Sequence, residues 1–136
     1  MTKSLSYRLF GAGKIPVPLM SELTAEGMIV FDEGVKGSVT YRDFRAPGRR
    51  SSWRRQGFAG SIALTKLRLV ALAYSNFLIN VPLSDERVRS MHFSVKANGA
   101  LCVAFDASLF HADWSGTIEY RFKTPEAQRL LELLQK

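Results

Sequence analysis

The chain predicts a mainly β fold: a seven-stranded antiparallel sandwich or barrel closed by a C-terminal α-helix, with a short helical N-terminal extension. Three observations point to it. From Met28 to Lys123, short apolar segments of two-residue period alternate with turn signals. The period then changes once, to that of a helix, over Thr124–Lys136. The length of 136 residues suits one domain, since domain sizes peak at about 100–150 residues.

Residues 1–27 read as an extension and residues 28–136 as the β domain. Within the extension, Pro18 can open a short helix through Leu19, Met20, Glu22 and Leu23, and Gly27 can end it. Leu9, Phe10, Leu19 and Leu23 are the apolar side chains that could hold this segment on the domain.

Met28–Glu33 is a compact apolar run, interrupted by Gly34. Val35–Arg45 continues it, with Val35, Val39 and Tyr41 on one face and Lys36, Ser38, Thr40 and Arg42 on the other. Ala46-Pro47-Gly48 signals a turn. Trp53–Leu64 carries Phe58, Gly60, Ile62 and Leu64 on one face, and Leu67–Tyr74 follows Thr65-Lys66. In Phe77–Leu83, the residues Phe77, Ile79 and Val81 share a face. Arg87–Lys96 places Met91, Phe93 and Val95 together, and Asn98-Gly99 is the clearest hairpin turn. Ala100–Asp106 is the next strand and Ala107–Gly116 a loop. In Thr117–Lys123, Ile118, Tyr120 and Phe122 point inward, and Glu119, Arg121 and Lys123 outward. Thr124 can cap the final helix, with Pro125 at its first position. Ala127, Leu130, Leu131 and Leu134 then form its apolar stripe.

The charge is uneven. Nineteen Lys and Arg against twelve Asp and Glu give +7 and a pI near 9.9. Such a balance favours phosphate-rich partners. The single cysteine, Cys102, rules out an intramolecular disulfide and reads as a buried thiol in an apolar strand. No stretch approaches the ~20 apolar residues of a membrane span. Ser4, Ser6 and Arg8 interrupt the apolar run that a signal peptide needs, so the expected location is cytoplasmic.

Three segments resemble those of pleckstrin-homology-like and GRAM-like domains. Gly60-Ser61-Ile62-Ala63-Leu64-Thr65-Lys66-Leu67-Arg68-Leu69 resembles their "G-x-L-x-LT-x-x-R-L" signature. Asn80-Val81-Pro82-Leu83-Ser84-Asp85 is similar to the step that bacterial members place before the fifth strand. Phe122-Lys123-Thr124-Pro125-Glu126-Ala127 is similar to their entry into the helix. The likeness spans about residues 28–135. It implies two nearly orthogonal antiparallel sheets capped by a C-terminal helix. Eukaryotic members carry a Trp in that helix and this chain has none there, so the resemblance is to the bacterial domains.

The candidate site lies in Arg42–Arg55. It holds Arg42, Arg45, Arg49, Arg50, Arg54 and Arg55 against Asp43 alone, six minus one or +5 in fourteen residues, with Trp53 among them. In lipid-binding members the β1–β2 loop and adjoining strands hold the phosphate-binding cations, and Arg49-Arg50-Ser51-Ser52-Trp53-Arg54-Arg55 falls in that place; for the bacterial domains that this chain resembles more closely, phosphoinositide binding does not follow. Guanidinium groups bind phosphate through paired hydrogen bonds, and an indole favours a membrane interface. The expected function is a non-enzymatic binding or scaffolding module that docks on an anionic membrane or phosphorylated ligand, without a cofactor. The alternative is a protein-interaction or self-assembly module, a homo-oligomer among them, using a sheet edge and the loop that holds Phe110 and Trp114. Nucleic acid is disfavoured, because the paired aromatics of an RNA-binding sheet and any helix-turn-helix are missing.

Other motifs are weaker. Gly11-Ala12-Gly13-Lys14 lacks P-loop spacing, and Ile15 stands where Ser or Thr belongs. His92, and His111 near Asp113, are too few for a metal site. Asp106, Ser108 and His111 lie in one strand end and loop with no nucleophile elbow.

Overall fold

The computed structural model describes residues 13–135. Among these, helix α1 (Val17–Ala25) precedes strands β1 (Met28–Ala46), β2 (Arg49–Thr65), β3 (Arg68–Ala73) and β4 (Asn76–Pro82). A 3₁₀ turn (Glu86–Ser90) leads to β5 (His92–Val95) and β6 (Ala100–Asp106). A second 3₁₀ turn (Ala107–Leu109), β7 (Ser115–Lys123) and helix α2 (Ala127–Leu134) complete the order. The seven strands form one antiparallel sheet in the order β4-β3-β2-β1-β7-β6-β5.

The mainly β class with two flanking helices is as expected, but the sheet is not closed into a barrel. It curls, so that its two halves face one core. Val35, Val39, Ile62, Leu69 and Val81 from one half meet Leu101, Val103, Ile118 and Phe122 from the other. Helix α2 lies against β5 and β6 and adds Ala127 and Leu130, both buried. Helix α2 starts later than its sequence suggests. The Thr124 hydroxyl accepts from the Glu126 amide and donates to Asp32 Oδ2, which organises the turn before the helix.

The outer face of β2 and β3 holds a second apolar cluster. Leu19 and Leu23 of α1, with Ile15, cover Ala63, Val70 and Leu72. The end of α1 is tied down by charge. Arg68 donates through Nε to both carboxylate oxygens of Glu26, at 3.0 and 3.1 Å. The Thr65 hydroxyl donates to the same carboxylate. The expected anchors Leu9 and Phe10 lie outside the described residues, as does Lys136.

Two local expectations are corrected. The segment 86–90 is a 3₁₀ turn capped by Asp85, so β5 has four residues and only Met91 of its expected apolar face is buried. Phe77 does not share a face with Ile79 and Val81. The β3–β4 register shifts between Ala71 and Leu72, which leaves Phe77 51% exposed.

Leu23 is completely buried between α1 and the sheet. Leu23→Ala is expected to lower unfolding free energy by about 2–5 kcal/mol in urea denaturation. A loss under about 0.5 kcal/mol, the range of surface substitutions, would show that α1 does not seal this face.

Candidate anion-binding surface

The expected β1–β2 loop is instead a β-hairpin. Pairing runs from Met28↔Thr65 to Ala46↔Arg49, so only Pro47 and Gly48 remain as the turn. Gly48 supplies the positive φ of +74° that such a turn needs. Arg49 to Ser52 are strand because β1 offers a continuous partner, not because Arg and Ser favour strands.

The hairpin is bent at Asp43, whose φ is +50°. There the pairing of β1 with β7 slips, from Arg42↔Thr117 to Arg45↔Ser115. Gly116 fits against the bend: a Cβ at this position would lie 2.5 Å from the Asp43 carbonyl oxygen and 2.6 Å from that of Arg42. Beyond the bend Phe44 returns to the core, with its ring centroid 4.8 Å from Tyr41 and 5.4 Å from Trp114.

This geometry sorts the seven candidate residues. All lie on the hairpin arms, and all are exposed. The Arg49 guanidinium lies 5.9 and 5.8 Å from the Tyr41 and Phe44 ring centroids, so it covers the aromatic end of the core. Arg45 stands opposite Arg50, and Arg54 opposite Tyr41. Trp53 stands opposite Arg42 and is 60% exposed. Arg42 turns to the outer face of the sheet, where its Nη2 lies 3.5 Å from Glu119 Oε2. Arg55 lies on the same face, beside Lys36, Arg121 and Lys123.

Glu119 was not among the candidates. It is 6% exposed and serves two arginines: Arg121 donates to Oε2 through Nε at 3.1 Å, and its Nη2 lies at 3.1 Å. Cys102, buried on β6 opposite Arg121, neighbours this cluster, and burial pushes that thiol's pKa up. Thr40, Glu119's register partner on β1, is 2% exposed, and its hydroxyl finds no partner among the described residues. Alternation along β7 places Glu119, Arg121 and Lys123 outward, but the cluster depends on the β1–β7 register, which joins residues far apart in the chain.

The remaining motifs are accounted for structurally. His111 stacks on Trp114 at 3.7 Å, and Phe110 packs edge-on against Phe105 at 5.4 Å. Both Phe110 and Trp114 are partly buried against the core. Asp106 Oδ1 accepts from the amide and hydroxyl of Ser108 and caps the second 3₁₀ turn. Among the described residues, no group of three or more His, Cys, Asp or Glu could hold a metal ion. Gly11 and Ala12 lie outside them.

No family model matches the chain, and no curated protein or solved structure was found to be similar to it.

Burial disfavours the charged form of Glu119, but Cys102, Arg121 and Arg42 together outweigh it and hold the carboxyl below the usual range. The unfolded chain therefore binds this proton more readily. The resulting stability is complete above the ordinary carboxylate pKa of about 4.3 and is lost as pH falls through the lower folded value. Urea unfolding between pH 7 and 3 should show this decline, and Glu119→Gln should be less stable at pH 7 with a flatter acid profile. A variant with the wild-type profile would contradict this role.

Proposed function

We propose that the protein is a non-enzymatic docking module whose β1–β2 hairpin settles on an anionic membrane surface, with Trp53 as the interfacial anchor. One observation carries this reading. Six guanidinium groups and one indole are exposed along a single hairpin, and among the described residues only Arg42 of these six has a carboxylate partner. Unpaired cations concentrated on one element are available to lipid phosphates, each contributing about 1 kcal/mol near such a surface. Trp53 adds an amphipathic ring suited to the headgroup layer.

The pleckstrin-homology-like resemblance implies two nearly orthogonal antiparallel sheets capped by a C-terminal helix; the seven strands form one sheet instead, and the likeness is supported only by the order of strands followed by a final helix. Among the described residues no helix is long and apolar enough to cross a membrane, so the docking we propose is peripheral. A cytoplasmic location, facing the anionic leaflet, fits this reading. The protein-interaction alternative has less support, because Phe110 and Trp114 are engaged with the core.

Co-sedimentation with vesicles tests the proposal. The protein should bind vesicles rich in phosphatidylglycerol at low salt, release as salt rises, and ignore neutral phosphatidylcholine. Arg45→Gln/Arg50→Gln/Arg54→Gln removes three exposed charges that have no carboxylate partner among the described residues. It should weaken binding about a hundredfold, at about 1 kcal/mol per charge, without a change in thermal stability. Equal binding to neutral vesicles, or none at low salt, would overturn the reading.

A further inference from the structure

The outer face of the sheet continues from the hairpin into a second feature, a cleft of about 230 Å³ over β1, β2 and β7. Its lining includes Lys36, Ser38, Arg55, Asn98, Arg121 and Lys123, four cations and no carboxylate. Register explains how they meet. Lys36 stands directly opposite Lys123, and Ser38 opposite Arg121 on one side and Gly57 on the other.

One feature of this arrangement is costly for a fold that holds no ligand there. Like charges directly opposite on neighbouring strands are destabilising. Lys36 and Lys123 form such a pair, and neither has an ion-pair partner among the described residues.

The centre of the cleft is open. Ser38 and Gly57 bring no long side chain, and a Cβ at Gly57 would meet only the Gly37 carbonyl oxygen, at 3.7 Å. The result is a short polar floor, with Lys36 and Lys123 at one end, Arg121 beside Ser38 in the middle and Arg55 at the other end. Its volume falls below the roughly 300–1,000 Å³ usual for drug-sized ligands, which suits one compact anion.

We propose that this cleft is a specific site for a single phosphate monoester group. The Arg55 guanidinium offers paired donors to its oxygens, Arg121, whose Nε and Nη2 face Glu119, offers its remaining Nη1, the two ammonium groups offset its second negative charge, and the Ser38 hydroxyl donates from the floor. The inference deepens the anion-docking reading and rests on it for the sign of the ligand. The monoester has two potential sources, a lipid headgroup or a soluble phosphorylated metabolite.

The test titrates the full ¹⁵N-labelled chain with inorganic phosphate and, separately, with vesicles. Saturable amide shifts at Gly37, Ser38, Gly57 and Ala100 are expected with inorganic phosphate. Gly57→Asp places a carboxylate on the floor in open space and should weaken that binding at least about tenfold. Lys36→Gln/Lys123→Gln, both exposed, should do the same and decides the matter should Gly57→Asp fail to fold. Vesicles of phosphatidic acid and of phosphatidylglycerol, matched for surface charge, separate the sources. A preference for phosphatidic acid that Gly57→Asp removes assigns a lipid monoester. Soluble binding without that preference assigns a metabolite. Absence of saturable shifts, or shifts unchanged in both variants, overturns the site. Loss of all vesicle binding with phosphate shifts intact would overturn the hairpin docking alone.

Discussion

Strand β1 is paired with β2 along nearly its whole length and with β7 from Lys36 to Arg45. That double pairing fixes its register from both sides, and a slip of one residue would exchange its two faces. The inner face then carries Val35, Val39 and Phe44 into the core, and the outer face carries Lys36, Ser38, Thr40 and Arg42. The basic character of the outer face is thus coupled to core packing. The same hydrogen bonds that seat Val39 also hold Lys36 opposite Lys123.

The outer face divides by what covers it. Over β2 and β3, α1 brings Leu19 and Leu23, and the Glu26–Arg68 ion pair secures its end. Over β1 and β7 Glu119 sits beneath Arg42 and Arg121. One buried carboxylate orients two arginines but cannot neutralise the cations around it. The excess charge that remains adds to that of the hairpin.

Much of this architecture is legible in the residues themselves. The alternation of Val35, Val39 and Tyr41 against Lys36, Ser38 and Thr40 gives both faces of β1, and Ile118, Tyr120 and Phe122 give those of β7. The apolar stripe around Leu130 gives the final helix, and Pro18 with Gly27 gives α1. The misses arise from long-range pairing. Arg49-Arg50-Ser51-Ser52 has weak strand propensity and is extended only because β1 continues beside it. The Phe77 side chain changes face through a register shift that no local pattern marks. The arginine cluster was visible as composition, but its division between Arg49 over the rings and Arg42 on Glu119 follows from the bend at Asp43. The meeting of Lys36 with Lys123 depends on the β1–β7 register, which local sequence does not encode.

The central claim is that the exposed hairpin indole, and not the packed one, enters the lipid interface. The two tryptophans allow this to be measured by quenching of fluorescence with brominated anionic lipids. Trp114→Phe leaves Trp53 as the only tryptophan, selectively excited beyond tyrosine absorption, and Trp53→Phe leaves Trp114, which packs against Phe44. The account predicts strong, salt-reversible quenching with a blue shift for Trp53 and none for Trp114. Quenching of Trp114 alone, or of neither residue when the protein is bound to vesicles, would contradict it.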